Sequence, residues 1–255
     1  MDSAAVLKLL REEHRSLAWP GERIDVLPYV TRKTTDDKWH CILFSDLTAA
    51  NADDVIAEQI EHHRAQNAEF EWKLFGYDMP PDLMDRLGRH GFEIGPREAV
   101  VVYDLAAGIK PFETPTDCVV ERITHPRQID DFRSVAEAVF GKEYSRTSAE
   151  LERGIAEGSM QHLGYLGAVG GEPASVGRLY TNPQSAFGGL YGGGTLERFR
   201  SRGCYRAVIA ARARDAVEFG ACYLLVDALP TSLPILLRLG FVHLTDTWPC
   251  VWSPS

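Results

Sequence analysis

The sequence predicts an α/β fold of the α+β kind: a mixed central sheet flanked by helices, with the same layout used twice along the chain. Three observations lead there. The second half reads as strands and helices in an order that gives a mixed sheet with helical layers. The ends of the two halves match at one constant offset. The composition, 255 residues with 45% hydrophobic and 25% charged, is that of a globular chain with a sizeable core.

The first half opens with Met1 to Arg15, where Lys8, Arg11, Glu12 and Glu13 alternate with apolar residues. That pattern reads as an amphipathic helix and lacks the apolar centre of a signal peptide. A strand, KWHCILFSDL (Lys38–Leu47), runs through TAANADD into a helix over Asp54–Gln66. WKLFGYDMPPDLMDRLGRHGF follows as strand, turn and short helix, then EAVVVYDL as a strand. Between Leu105 and Asp117, Gly108, Pro111 and Pro115 interrupt all periodicity. The expected division is therefore a domain at 1–107, a linker at 108–116 and a domain at 117–255.

In the second half, Cys118–Thr124 reads as a strand, and Arg127–Phe140 and Ser148–Glu157 as helices. Gln161–Val169 and Ala174–Thr181 pair as a hairpin around Gly170-Gly171. Ala186–Gly192 is a strand and Arg202–Phe219 a long helix closed by Gly220. Cys222–Ala228 is a strand, Ser232–Leu239 a helix, and two final strands finish the chain.

Asp227 minus Asp78, Pro230 minus Pro81, Gly240 minus Gly91 and Phe241 minus Phe92 all equal 149. Each copy reads as strand, acidic residue, Pro-containing turn, short helix ending at Gly, then Phe entering a strand. Four matches at one offset inside the same elements indicate a duplicated unit.

Charge and cysteine usage exclude several classes. With 27 Lys+Arg against 36 Asp+Glu, the net charge of -9 disfavours nucleic acid and anionic membranes as partners. The five cysteines are scattered, with no C-x-x-C pair, which argues against a disulfide framework or a zinc site. No stretch approaches the roughly 20 apolar residues of a membrane span. The expectation is a cytoplasmic monomer or homodimer that uses no metal.

The informative stretch is LYGGGTLERFRSRGCYRAVIAARARDAVEFG, Leu190 to Gly220. A strand ends in glycines, an arginine-rich loop follows, and a long helix starts near Gly203 with Tyr205, Val208, Ile209, Ala213, Ala216 and Val217 on one face. The first N–H groups of a helix lack internal partners and carry partial positive charge, so such a start is suited to an anion. Six arginines (198, 200, 202, 206, 212, 214) and no acidic residue lie between Arg198 and Arg214. In an acidic chain this reversal points to a polyanion such as a pyrophosphate. Arg200, Arg202 and Arg206 are read as ligands, and Arg212 and Arg214 as covering a solvated helix face. Neither G-x-x-x-x-G-K-[ST] nor G-x-G-x-x-G spacing is present.

Arg200-Ser201-Arg202-Gly203-Cys204-Tyr205 resembles the [RQ]-x-x-G-x-[GA] signature of the GNAT (GCN5-related) N-acetyltransferase superfamily, with Tyr205 in place of the usual small residue. Ser232 followed by Leu239-Gly240-Phe241 is similar to that family's closing motif. The resemblance spans about Asp117 to Trp252. It implies that acetyl-CoA is a co-substrate, its pyrophosphate on the Arg–Gly loop, with Gly194, Thr195, Leu196, Arg200, Ser201, Arg202, Gly203, Cys204, Tyr205, Arg206 and Ser232 as binding residues. It also implies N-acetyltransfer to a primary amine, a small molecule or peptide, with an oxyanion donor near Gly194 to Leu196. The first half looks like a degenerate copy, because Asp53-Asp54 at its helix start would repel a phosphate. The family's tyrosine four residues before the last glycine is Leu236 here. Asp227, Glu143 and Tyr144 are the remaining catalytic candidates, and a non-catalytic CoA-binding sensor or scaffold is the alternative. His62-His63 reads as solvent-exposed, Cys204 as a small loop residue, and Trp72, Trp248 and Trp252 as core.

Overall fold

In the computed structural model, residues 1–19, 21–35 and 39–254 are described; Lys38, which opens a predicted strand, and Ser255 lie outside them. In chain order the first elements are α1 (Ser3–Ser16), β1 (Glu22–Val26), β2 (Val30–Thr35), β3 (His40–Ser45) and α2 (Ala52–Arg64). β4 (Phe70–Phe75), α3 (Leu83–Arg89), β5 (Glu93–Ile94) and β6 (Glu98–Asp104) follow. Then come β7 (Cys118–Arg122), α4 (Arg127–Phe140), α5 (Ser145–Glu157), β8 (His162–Val169), β9 (Glu172–Tyr180) and β10 (Phe187–Thr195). The chain ends with α6 (Cys204–Glu218), β11 (Tyr223–Ala228), α7 (Leu233–Arg238) and β12 (Val242–Trp252). The last of these corrects the expectation of two closing strands: it is one long strand.

The chain packs as two compact units. Unit 1 holds Met1–Val101, Asp227–Ile235 and Val242–Ser255; unit 2 holds Val102–Val226 and Leu236–Phe241. The packing thus departs from the division expected at 108–116, because the closing strand joins the first unit. β12 pairs antiparallel with β4, Trp252 opposite Phe70 and Thr247 opposite Phe75, and Thr247 Oγ1 donates to the Leu74 carbonyl at 2.8 Å. Sequence proximity favours neighbouring strands, but ladder pairing and burial decide which edge a strand completes.

Unit 1 is a mixed sheet in the order β1-β2-β3-β4-β12, with β5 on β12 and only the β3–β4 pair parallel. Its core gathers Ile42, Ile56, Trp72, Leu83, Leu87, Phe92 and Trp252. α1 starts at Asp2, whose Oδ1 accepts from the N–H groups of Ala4 and Ala5 at 3.0 and 3.3 Å. His63, expected to be exposed, is buried: its ring stacks on Phe70 at 3.9 Å, and its Nδ1 lies 2.8 Å from the Gln59 carbonyl. Asp53, at the start of α2, does local work. Asp53 pairs with Arg86 and with His90, the latter at 3.1 Å.

Unit 2 orders its strands β11-β10-β9-β8-β7, all antiparallel except β10 with β11. Apolar residues of α4 and α5 (Ile129, Phe132, Val135, Leu151) pack with Leu166 and Val176 of the sheet. α6 and α4 both pack against β9. Residues 108–116 are no free tether, since Phe112 is fully buried against Tyr103 and Phe241.

The short helices at the 149-residue offset close alike. Gly91 N–H donates to the Gly88 carbonyl and Phe92 N–H to Leu87, each at 3.1 Å; Gly240 donates to Leu237 and Phe241 to Leu236, again at 3.1 Å. Both glycines are left-handed, at φ 88° and 94°, which side chains with a Cβ resist.

Candidate active site

The site is built where β10 stops behaving as a regular strand. Its parallel pairing with β11 covers Phe187↔Tyr223, Gly188↔Leu224 and Gly189↔Leu225, and no pair follows, although β10 runs on to Thr195. The two strands therefore separate toward their C-terminal ends. On its other side the β9 register jumps from Tyr191↔Arg178 to Gly194↔Val176, which places Gly192 and Gly193 opposite one residue. This is a β-bulge, the device that re-aims backbone groups at a site.

The glycine run exists because side chains press on it from both faces. A Cβ on Gly194 would lie 2.5 Å from Val139 and 3.0 Å from Phe140 of α4. One on Gly193 would lie 3.1 Å from Arg212 Nη2 and 3.2 Å from the Tyr205 ring, both on α6. At Gly192 it would come 3.4 Å from Arg178 Nε and 3.7 Å from Tyr144 Oη. Past the bulge, Ser175 Oγ donates to the Gly194 carbonyl at 2.8 Å and lies 2.8 Å from Thr195 Oγ1. Leu196 N–H is taken by the Ala174 carbonyl at 2.9 Å.

The loop then turns through Ser201 and Gly203, both left-handed at φ 63° and 81°, into α6. No side chain caps that helix start, so its first N–H groups are left without a side-chain acceptor, as an anion site requires. The predicted arginine ligands differ in their freedom. Arg202 is ion-paired with Asp117, and Arg206 donates to the carbonyls of Pro111 and Glu113 at 2.7 and 3.1 Å. Arg200 makes one long contact, Nε to the Thr195 carbonyl at 3.4 Å. Thr116 Oγ1 completes the strap by donating to the Arg202 carbonyl at 2.6 Å. Cys204 is buried, with Sγ 3.7 Å from the Phe199 carbonyl, and Tyr205 lies against the bulge.

The solvated-face reading holds for Arg214, which is exposed and pairs loosely with Glu113 at 3.7 Å. It fails for Arg212, which is 2% exposed on the inner face of α6, while Val217, expected inside, is 51% exposed. Arg212 stands four residues after Val208 and three after Ile209, so its place on the buried stripe was readable from helical spacing. Charge suggested the opposite.

The catalytic candidates separate. Tyr144 is buried beside the bulge, and burial raises its phenol above the ordinary value while Arg178 opposes the shift. Glu143 is exposed, accepting from Ser145 Oγ at 2.5 Å. Asp227 belongs to unit 1, where Lys73 Nζ lies 2.5 Å from its Oδ2 and Glu98 stands 3.8 Å from the same ammonium. Its counterpart Asp78 accepts from the Phe75 N–H at 2.8 Å, so the two matched aspartates have different partners. Ser232 also packs in unit 1, with Oγ donating to the Leu229 carbonyl at 3.2 Å. Leu236 is buried at 1% exposure. Sequence reasoning missed Arg178 and Ser175, whose partners around β10 lie on other elements and are announced by no local pattern. Among the described residues no cluster could hold a metal ion, and no helix is long and apolar enough to cross a membrane.

No protein-family model and no curated protein matches the chain. Solved structures do. A functionally unknown conserved protein from Staphylococcus epidermidis superposes with a TM-score of 0.68 at 16% identity, over 94% of this chain and 96% of that one. A GCN5-related N-acetyltransferase from Kribbella flavida gives 0.67 at 16% identity, over 99% and 94%. A tandem GNAT protein from the clavulanic acid biosynthesis pathway gives 0.58 at 12% identity, over 93% and 86%. Identities this low speak to architecture alone. With the bulged, splayed β10 and the loop leading into α6, they establish that this chain has the GCN5-related N-acetyltransferase fold.

Proposed function

We propose that the chain transfers an acetyl group from acetyl-CoA to a primary amine by direct attack on the thioester. The observation that carries this reading is the parting of β10 from β11 beyond Gly189↔Leu225, with an uncapped helix start at Gly203 after the loop that leaves β10. Strand edge, bulge and helix terminus together suit a ligand that is an amide-bearing arm at one end and a pyrophosphate at the other.

In the reaction, the amine nitrogen forms a bond to the carbonyl carbon and the C–S bond breaks with its electron pair on sulfur. One proton leaves the amine, and the thiolate takes one up. The chain's part is to orient the arm along β10, to offer backbone N–H groups near Gly194 to the developing oxyanion, and to supply the thiolate's proton. Tyr144 is the hydroxyl beside the bulge and is assigned that last role, which the buried Leu236 is unable to fill. Arg200 and the first N–H groups of α6 would hold the pyrophosphate, while Arg202 and Arg206 tie the loop to the 111–117 strap.

Calorimetric titration with acetyl-CoA, with free CoA and ATP as comparators, tests the reading. Binding of one acetyl-CoA per chain, selective over ATP, supports it, and an amine panel monitored for thiol release then seeks the acceptor. Absence of acetyl-CoA binding overturns it. The apolar Leu236 favours a second reading, a non-catalytic CoA-binding sensor or scaffold, which predicts binding without turnover on any amine.

A further inference from the structure

We infer that Arg212 is the positioning residue of the acyl-transfer site: it fixes the Gly192–Gly193 bulge from beneath and places a positive charge behind the peptide that receives the thioester oxygen. The inference rests on the reading of unit 2 as acetyl-CoA-dependent and adds a residue to it.

Three observations converge. The register jump between Tyr191 and Gly194 interrupts the ladder beside Arg178. Arg212 Nη1 donates to the Arg178 carbonyl at 3.2 Å and its Nε to the Val208 carbonyl at 3.3 Å. The guanidinium thus supplies the bulge with a hydrogen-bond donor that comes from α6 rather than from β10.

The glycines around it leave room for nothing else. A Cβ on Gly177 would sit 2.9 Å from Arg212 Cζ, and one on Gly193 3.1 Å from Nη2. Two glycines on adjacent strands, each facing the same guanidinium, let it reach the backbone of the site.

The charge is not cancelled. Among the described ion pairs, no carboxylate is matched to Arg212. Asp215, one turn further along α6, accepts from Tyr165 Oη at 2.6 Å and pairs with Arg122 at 3.4 Å. The groups that bear on Arg212 are the neutral phenols of Tyr205 and Tyr165 and the cation of Arg178. Burial lowers its pKa only to about 10, so it stays charged at neutral pH. A buried cation without a counter-ion is costly to a fold. Such a group stabilises negative charge that appears nearby, here on the thioester oxygen and then on the departing sulfur, without itself gaining or losing a proton.

The test uses Arg212→Met and Arg212→Lys in the full chain. Melting temperature, acetyl-CoA affinity by calorimetry and thiol release with the amine panel are measured for each. The infrared carbonyl band of bound acetyl-CoA carrying 13C at its carbonyl carbon is recorded as well. Affinity is expected to stay close to that of the parent, because the interaction strengthens only as charge develops. Turnover should fall on the order of 10²-fold in Arg212→Met, with Arg212→Lys between. The carbonyl band, shifted to lower frequency in the parent, should move back toward that of free acetyl-CoA in the same order. A folded Arg212→Met with parental turnover and band position overturns the inference and leaves Arg212 as core filling. If Arg212→Met fails to fold, an unchanged band in Arg212→Lys overturns it equally. If the parent binds without turnover, the band alone decides. Failure of the parent to bind acetyl-CoA sinks the functional reading instead, and calorimetry reports that separately.

Discussion

Lys73 Nζ and Asp227 Oδ2 lie 2.5 Å apart in unit 1, joining residues 154 positions distant in sequence. Both side chains are mostly buried, and Glu98 adds a second, looser carboxylate at 3.8 Å. A carboxylate held this way serves the fold better than it serves proton abstraction. Asp227→Asn and Lys73→Met should each destabilise by roughly 1–3 kcal/mol, with a strongly non-additive double variant. Denaturant titration of the four proteins measures the coupling. A collapse of turnover at parental stability would return Asp227 to catalysis.

Substitutions at the loop need reading in two dimensions. Gly203→Glu should abolish acetyl-CoA binding, since it sets a carboxylate at the helix start. It should also destabilise by about 1–2 kcal/mol, because φ is 81° and a Cβ would lie 2.9 Å from Thr114 Cγ2. Arg200→Ala is the cleaner probe. It removes only one long contact to Thr195, so it should melt like the parent and bind acetyl-CoA several-fold more weakly, roughly as expected for one exposed charge. The difference should shrink at high salt.

Tyr144→Phe tests proton donation. It keeps the ring packed beside Phe140 and Phe132 while removing the hydroxyl. Turnover should drop about 10²-fold or more with little change in acetyl-CoA affinity, and the alkaline limb of the rate profile should be lost. A proportional rise in Kd would mark Tyr144 as a binding residue.

Asp78 makes the stability of unit 1 depend on pH. Burial raises its carboxyl from 3.8 to about 7, against the Phe75 N–H and Arg11, which favour the anion. A raised acid means that the unfolded chain ionises first, so stability is present below about pH 4 and lost as pH climbs through 7. Asp78→Asn should therefore melt higher than the parent at pH 8, by on the order of 1–2 kcal/mol, and show no such gain at pH 4.

His63 has the opposite sign. Burial lowers its pKa from 6.5 to about 4, so stability is present above 6.5 and lost as pH falls toward 4. In that window each unit costs up to about 1.4 kcal/mol for this group. His63→Phe, still able to stack on Phe70, should flatten the acid limb in thermal melts at pH 4.5 against 7.

Where a signal was local, the sequence carried it. The helix over Arg127–Phe140 stands as predicted, the long helix ends within two residues of its expected bounds, and the closure at Gly91 and Gly240 follows from one turn of backbone. The arginine–glycine loop was placed by residue type alone, because helix starts and left-handed turns have short-range causes. Arg212 marks the failure of reasoning from charge where spacing should have ruled: helical period put it on the buried stripe, and a guanidinium can stay buried when backbone carbonyls receive it. Asp227 and Ser232 show another limit: the unit in which a residue packs is set by partners distant in sequence.

By itself, then, the sequence determined the helices, most of the strands of the second half, the loop before α6 and the matched helix ends, all set by interactions within a few residues. β1, β2 and the single closing strand escaped it. Only the tertiary structure decided that β12 completes the sheet of unit 1, that Lys73 holds Asp227, and that Arg212 reaches the bulge. Those are choices among distant partners, made by ladder hydrogen bonds and the removal of charge and apolar surface from water, and no window of sequence contains both sides of them.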